Sequence, residues 1–198
     1  VGWGFDSLLQ HHYEEIYITM QTLQQDTSFR TQYFDIFPTS CGMYDLALYG
    51  PEEHKVIETI KSEHEEFILD EFPMLKDAIN ECILFYCQHT GLKLAEITQY
   101  HITSMGVNDK VEETKYDDSL ITIQYYPVFE PGSADLWVRS PFNIPRDHVE
   151  KTTLATAPSE KFVLGQGRLI IYPSSVHHFT EANQTENRIC ITFKTKKQ

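Results

Sequence analysis

Apolar residues recur at helical spacing in the first half of the chain and at strand spacing in the second, with the change near residue 95. After Asp6-Ser7, the positions Leu9, Ile16, Met20 and Leu23 share one face and predict an amphipathic helix over residues 6–24, opened by a polar cap, with His11 and His12 at its surface. Residues 28–50 mix turn formers with aromatics such as Phe29, Tyr33 and Tyr49 and hold no clean period. They read as an irregular or short-stranded connection, long enough to carry function. Gly50-Pro51 then opens a helix with Pro at its first position and Glu52-Glu53 in the first turn, where negative charge suits the dipole. Val56, Ile60 and Phe67 supply its apolar stripe. Pro73 starts a further helix on which Leu75, Ile79, Cys82 and Tyr86 share a face, and Gly91 is placed to accept the left-handed conformation that ends it.

From residue 95 the pattern predicts six short strands: Ile97 to Ser104, Leu120 to Pro127, Ala134 to Arg139, Lys161 to Leu164, Arg168 to Tyr172 and Arg188 to Lys194. Gly165-Gln166-Gly167 between two apolar runs reads as a hairpin turn. Helices first and strands afterwards make the fold α+β and argue against a nucleotide-binding parallel sheet. The strand spacing suggests a sandwich or jelly roll.

At 198 residues, 41% of them hydrophobic, the chain suits one domain over 1–198, with a mainly helical leader over 1–94 and a sheet core over 95–198. Lys and Arg number 16 against 29 Asp and Glu, giving a formal charge of −13. That balance argues against nucleic acid or anionic lipid as a partner. An anionic ligand would need one locally placed cation, which turns attention to Arg188. No apolar run is long enough to span a membrane, and Cys41, Cys82, Cys87 and Cys190 form no CxxC pair, so a reduced, cytoplasmic protein acting on a small-molecule substrate is expected.

Two stretches carry the candidate chemistry. Lys115-Tyr116-Asp117-Asp118-Ser119-Leu120-Ile121-Thr122 leads into a strand; Tyr172-Pro173-Ser174-Ser175-Val176-His177-His178-Phe179 is followed by Arg188-Ile189-Cys190-Ile191-Thr192-Phe193. Together they resemble the Fe(II)/2-oxoglutarate-dependent dioxygenases, both the branch of isopenicillin N synthase and the plant enzymes, with its His-x-Asp-x-Ser-Leu-Ile-Thr, and the bacterial and phage oxygenases, over roughly residues 70–194. The resemblance implies a double-stranded β-helix (jelly roll, cupin-like) with N-terminal packing helices, and Fe(II) and 2-oxoglutarate as cofactors for oxidising a C–H bond. By it, Asp117 and either His178 or His177 would hold iron. Arg188, with Cys190 where the family carries Ser, would take the remote carboxylate of 2-oxoglutarate, and Tyr100 would lie near that cosubstrate.

The departure is Lys115, at the place of the first metal-binding His. An ammonium has no lone pair to give and repels a divalent cation. Either a substitute ligand such as Glu112, Glu113 or His101 completes an iron site, or Lys115 pairs with Asp117 and the fold survives as a catalytically inactive binding or structural module. A cupin-like sugar or acid binder is the third reading. Adjacent residues on a strand point to opposite faces, so only one of His177 and His178 can enter the interior. Buried there, Arg188 would demand an anion; at the surface, it would pair with Glu181 or Glu186.

Overall fold

Proline and glycine set the limits of the longer helix. In the computed structural model, which describes residues 31–36, 39–46, 50–62, 67–141 and 157–196, α1 spans Gly50–Lys61 and α2 spans Pro73–Thr90. The helix expected over 6–24 lies outside the described residues. Pro73 stands at the start of α2, where its missing N–H costs nothing. The Glu52 carboxylate of α1 accepts from the backbone N–H groups of Met74 and Leu75, which have no partner inside the helix. Gly91 ends α2 at φ 70°, a conformation a β-carbon would strain, and the Leu92 N–H closes onto the Cys87 carbonyl at 3.0 Å. Leu75, Ile79, Cys82 and Tyr86 are all buried, as their spacing requires.

Nine strands follow the chain: β1 (Thr31–Ile36), β2 (Thr39–Asp45), β3 (Ile97–Met105), β4 (Ser119–Phe129), β5 (Leu136–Arg139), β6 (Ser159–Phe162), β7 (Arg168–Pro173), β8 (His178–Thr180) and β9 (Arg188–Lys196). They pair antiparallel into a six-stranded sheet of order β1-β2-β7-β4-β9-β3 and a three-stranded sheet of order β6-β5-β8. Thr114 and His178 exchange both backbone hydrogen bonds, at 2.9 and 2.8 Å, and the Thr180 N–H reaches the Val111 carbonyl at 3.1 Å. Residues 111–114 therefore run along β8 as an irregular extension of the small sheet.

Residues 31–45, read as an irregular or short-stranded connection within the leader, form β1 and β2 and extend the large sheet. Their strand character comes from pairing, β1 with β2 and β2 with β7, where Gly42 lies opposite Ile171, and not from a local period. A β-carbon at Gly42 would stand 2.8 Å from the Tyr44 ring, so any larger residue here would have to displace that buried side chain. Gly165-Gln166-Gly167 does make a tight turn, with Gly167 at φ 76°, but β6 pairs with β5 whereas β7 pairs with β2 and β4. The turn thus carries the chain between sheets and does not close a hairpin. The chain divides into units of residues 1–30 and 31–198, and every described residue belongs to the second.

The central strand β4 is buried on both faces, which explains its nearly unbroken run of buried positions. Tyr125 looks toward the helices, sharing a recess with Glu52, Val56 and Leu75. On the opposite face, Tyr126 joins Leu136, Val138 and Phe162 of the small sheet and Tyr172 of β7 in a core cluster between the two sheets. Among the described residues no helix is long and apolar enough to cross a membrane.

Candidate functional site

Between the sheets lies a cavity of about 30 Å³, lined among others by His101, Gln124, His178, Arg188 and Cys190. Period-two alternation along β9 sends Arg188, Cys190 and Thr192 together into this space. Arg188 is 2% exposed. Its Nε donates to the Ala134 carbonyl at 2.8 Å, its Nη1 lies 2.8 Å from Met105 Sδ, and its guanidinium carbon is 5.2 Å from the Tyr126 ring centroid. These partners are all neutral. Among the described residues no carboxylate lies within ion-pair distance of Arg188, although a buried charge is costly to keep without one.

His178 is 1% exposed, and neither ring nitrogen has a hydrogen-bond partner. Burial pushes its pKa down to about 4; the nearby Val176 carbonyl opposes that shift without reaching hydrogen-bond geometry. The imidazole is therefore neutral at pH 7, with one donor and one acceptor unused. Its ring lies 5.3 Å from Tyr116 and 5.4 Å from Tyr172. His177, one position back, points to the other side: its Nδ1 is 3.2 Å from a Glu113 oxygen, whose partner oxygen receives Arg139 at 2.6 Å. Of the two histidines, His178 enters the interior and His177 does not.

The same alternation governs residues 115–117. Tyr116 faces the cavity, with its hydroxyl 3.3 Å from His101 Nε2, its backbone N–H on the Ser174 carbonyl at 2.9 Å and the Lys194 ammonium 4.3 Å above its ring. Lys115 and Asp117 flank it on the outside and pair with each other, Nζ to Oδ1, at 2.9 Å, with side chains 38% and 72% exposed. Glu112 is also outside, 2.8 Å from Lys110.

A facial triad needs two imidazoles and a carboxylate on one side of the metal. Here His178 and His101 face the cavity, but Asp117, Glu112, Glu113 and His177 are engaged at the outer surface, and among the described residues no carboxylate joins the two imidazoles. Among the described residues no three His, Cys, Asp or Glu side chains converge to hold a metal ion. The donor set thus does not fit the Fe(II) centre that the sequence pattern implies: Asp117 and His177 turn outward, and Glu112 cannot substitute for the missing ligand. Tyr100, expected near a cosubstrate, is displaced as well. It lies on the helix side of β3, its hydroxyl donating to the Phe67 carbonyl and its ring edge-on to Phe67 at 5.4 Å. Cys190 does line the cavity, with Sγ 3.7 Å from Thr192 Oγ1, and burial pushes its thiol pKa up.

Sequence reasoning missed Tyr116 and Gln124. The signal for Tyr116 was available: if the flanks of a three-residue extended segment face water, its middle residue faces inward. Gln124 carries no chemical pattern of its own, and only its phase with Tyr126 on β4 places it.

No family model and no curated protein sequence matches the chain. Among solved structures it is similar to an oxidoreductase of the 2OG-Fe(II) oxygenase family from Burkholderia pseudomallei, at 14% identity and a TM-score of 0.44, covering 58% of this chain and 52% of that one. A Pseudomonas putida prolyl-4-hydroxylase shows 14% identity and a TM-score of 0.46 over 77% of this chain and 78% of that one. A non-heme alpha-ketoglutarate-dependent epimerase from nogalamycin biosynthesis shows 10% identity and a TM-score of 0.47 over 92% and 72%. The chain spans about half the length of the first of these. None of the three reaches a TM-score of 0.5, so the site is argued from its own residues.

Proposed function

We propose that this chain is an oxygenase-type jelly roll that binds a carboxylate-bearing small molecule through Arg188 and has no facial-triad metal site. The observation that carries this reading is the Arg188 guanidinium, buried in the inter-sheet cavity with only neutral partners among the described residues. A guanidinium so placed is matched best by a planar carboxylate, which can accept two parallel N–H bonds from it. The Arg188-x-Cys190 ending and its resemblance to the cosubstrate-binding motif of the dioxygenases point the same way. The Lys115–Asp117 ion pair on the outer surface supports the reading in which the metal site has been lost.

One observation favours a second, metal-dependent reading. The two unpartnered nitrogens of His178 are the kind of donors a metal recruits, and His101 faces the same cavity. Such a centre would still need a third ligand from residues that now face outward.

Calorimetry of acetate, succinate and 2-oxoglutarate against the full chain in EDTA tests the proposal, with Arg188→Lys beside it. Carboxylate binding that needs no metal and weakens in the variant is the expected result. Binding that occurs only after Fe(II) is supplied would replace this reading with the metal-dependent one.

A further inference from the structure

The cavity also constrains the size of its occupant, and the unused nitrogens of His178 supply a second contact. A water needs about 10–15 Å³ of such space, so about 30 Å³ accommodates roughly two or three waters. A five-carbon dicarboxylate is far larger. The polar groups are set for a small, planar, hydrogen-bonding anion: a cation at Arg188 and, facing the same space, an imidazole with a free donor and a free acceptor. Resting on the carboxylate reading above, we infer that the occupant is a carboxylate of no more than about four non-hydrogen atoms, of the size of formate, acetate or bicarbonate, shared between Arg188 and His178.

The rest of the lining agrees with this assignment. Thr180 Oγ1 accepts from the Val111 N–H at 2.9 Å and keeps its own proton to donate, and Gln124 Oε1 is engaged by the Tyr126 hydroxyl at 2.6 Å. Lys194, above the Tyr116 ring, adds positive potential nearby while it pairs with Asp118 at 3.5 Å. Bicarbonate suits this pair: its hydroxyl donates to the bare nitrogen of the neutral His178 imidazole, and another of its oxygens accepts from Arg188.

The test is a ligand series on the full chain in EDTA at fixed ionic strength, using formate, acetate, bicarbonate, succinate and 2-oxoglutarate against chloride, read by calorimetry and by saturation-transfer NMR. The variants are Arg188→Lys, His178→Phe and Thr103→Leu. Thr103 lines the cavity, so Thr103→Leu reduces its space and leaves Arg188 in place. The expected result is saturable binding of the small anions, with a loss of about tenfold or more in Arg188→Lys, His178→Phe and Thr103→Leu. Tighter binding of 2-oxoglutarate than of acetate, still dependent on Arg188, would overturn the size assignment while leaving the carboxylate reading intact. Acetate binding unchanged in His178→Phe would overturn the shared contact. The absence of binding by any carboxylate would overturn both the inference and the reading beneath it. Because Thr103→Leu keeps every charged and histidine group, it retains its force even if a variant at Arg188 fails to fold.

Discussion

The rings of Tyr116 and His178 lie 5.3 Å apart at one end of the inter-sheet cavity, so a tyrosine stands beside the interior histidine where the dioxygenase pattern would bring its metal-binding side chains. The cause is one residue of strand phase. In His-x-Asp the outer two positions share a face; here those positions are Lys115 and Asp117, they share the outer face, and the middle residue takes the inner one. On the proposed reading, the missing facial triad is a matter of orientation as well as of composition.

Restoring the motif in sequence therefore does not restore it in space. Lys115→His is expected to leave Fe(II) or Mn(II) affinity unchanged, because residue 115 projects away from His178. Removing the exposed Lys115–Asp117 pair is expected to change stability by no more than about 1 kcal/mol. Anaerobic metal titration and urea denaturation of the variant check both. A gain of stoichiometric metal binding in Lys115→His would show that the segment turns inward.

Much of the frame was legible in the sequence, because it rests on local rules. Pro73 and Gly91 bracket α2, and the six later strands fall where β-branched and aromatic runs lie between turn residues. What was not legible depends on partners distant in sequence. β1 and β2 lack a clean period, since pairing with each other and of β2 with β7 specifies them, and β8 is only three residues long. Within the site, the motif singled out Arg188 but left open whether it is buried. The choice between His177 and His178 and the outward turn of Asp117 depended on a phase that no local signal fixed.

His178 makes the fold sensitive to acid. The folded chain holds it neutral down to about pH 4, whereas an unfolded chain takes up its proton near 6.5. Between these values the unfolded state binds more protons, so this contribution is complete above about pH 6.5 and is lost as the pH falls toward 4. It amounts to about 3 kcal/mol at most. The groups that face the imidazole are Tyr116 and Tyr172, with His101 and His177 nearby, whose electrostatic influence further opposes protonation of His178. Urea denaturation from pH 7.5 to 4 should show this loss in the unaltered chain and a shallower one in His178→Phe. Equal slopes would remove His178 as the cause.

Tyr172 offers a test of buried polarity. Its hydroxyl is buried without a hydrogen-bond partner, and burial pushes its pKa well up, so it contributes desolvation cost and no bond. Tyr172→Phe is expected to keep or raise stability, by up to about 1 kcal/mol, and to leave carboxylate binding unchanged, since Tyr172 does not line the cavity. Thermal denaturation checks the first and calorimetry the second. A clear destabilisation would mean that the hydroxyl has a partner in solution.

The most direct test of the central claim, that Arg188 holds a carboxylate without a metal, is anaerobic calorimetry of acetate against the unaltered chain, performed in EDTA and again with Fe(II). The account predicts the same affinity in both, and a loss of about tenfold or more in Arg188→Lys. Stoichiometric Fe(II) binding that the carboxylate strengthens, with none of the anion bound in EDTA, would contradict it.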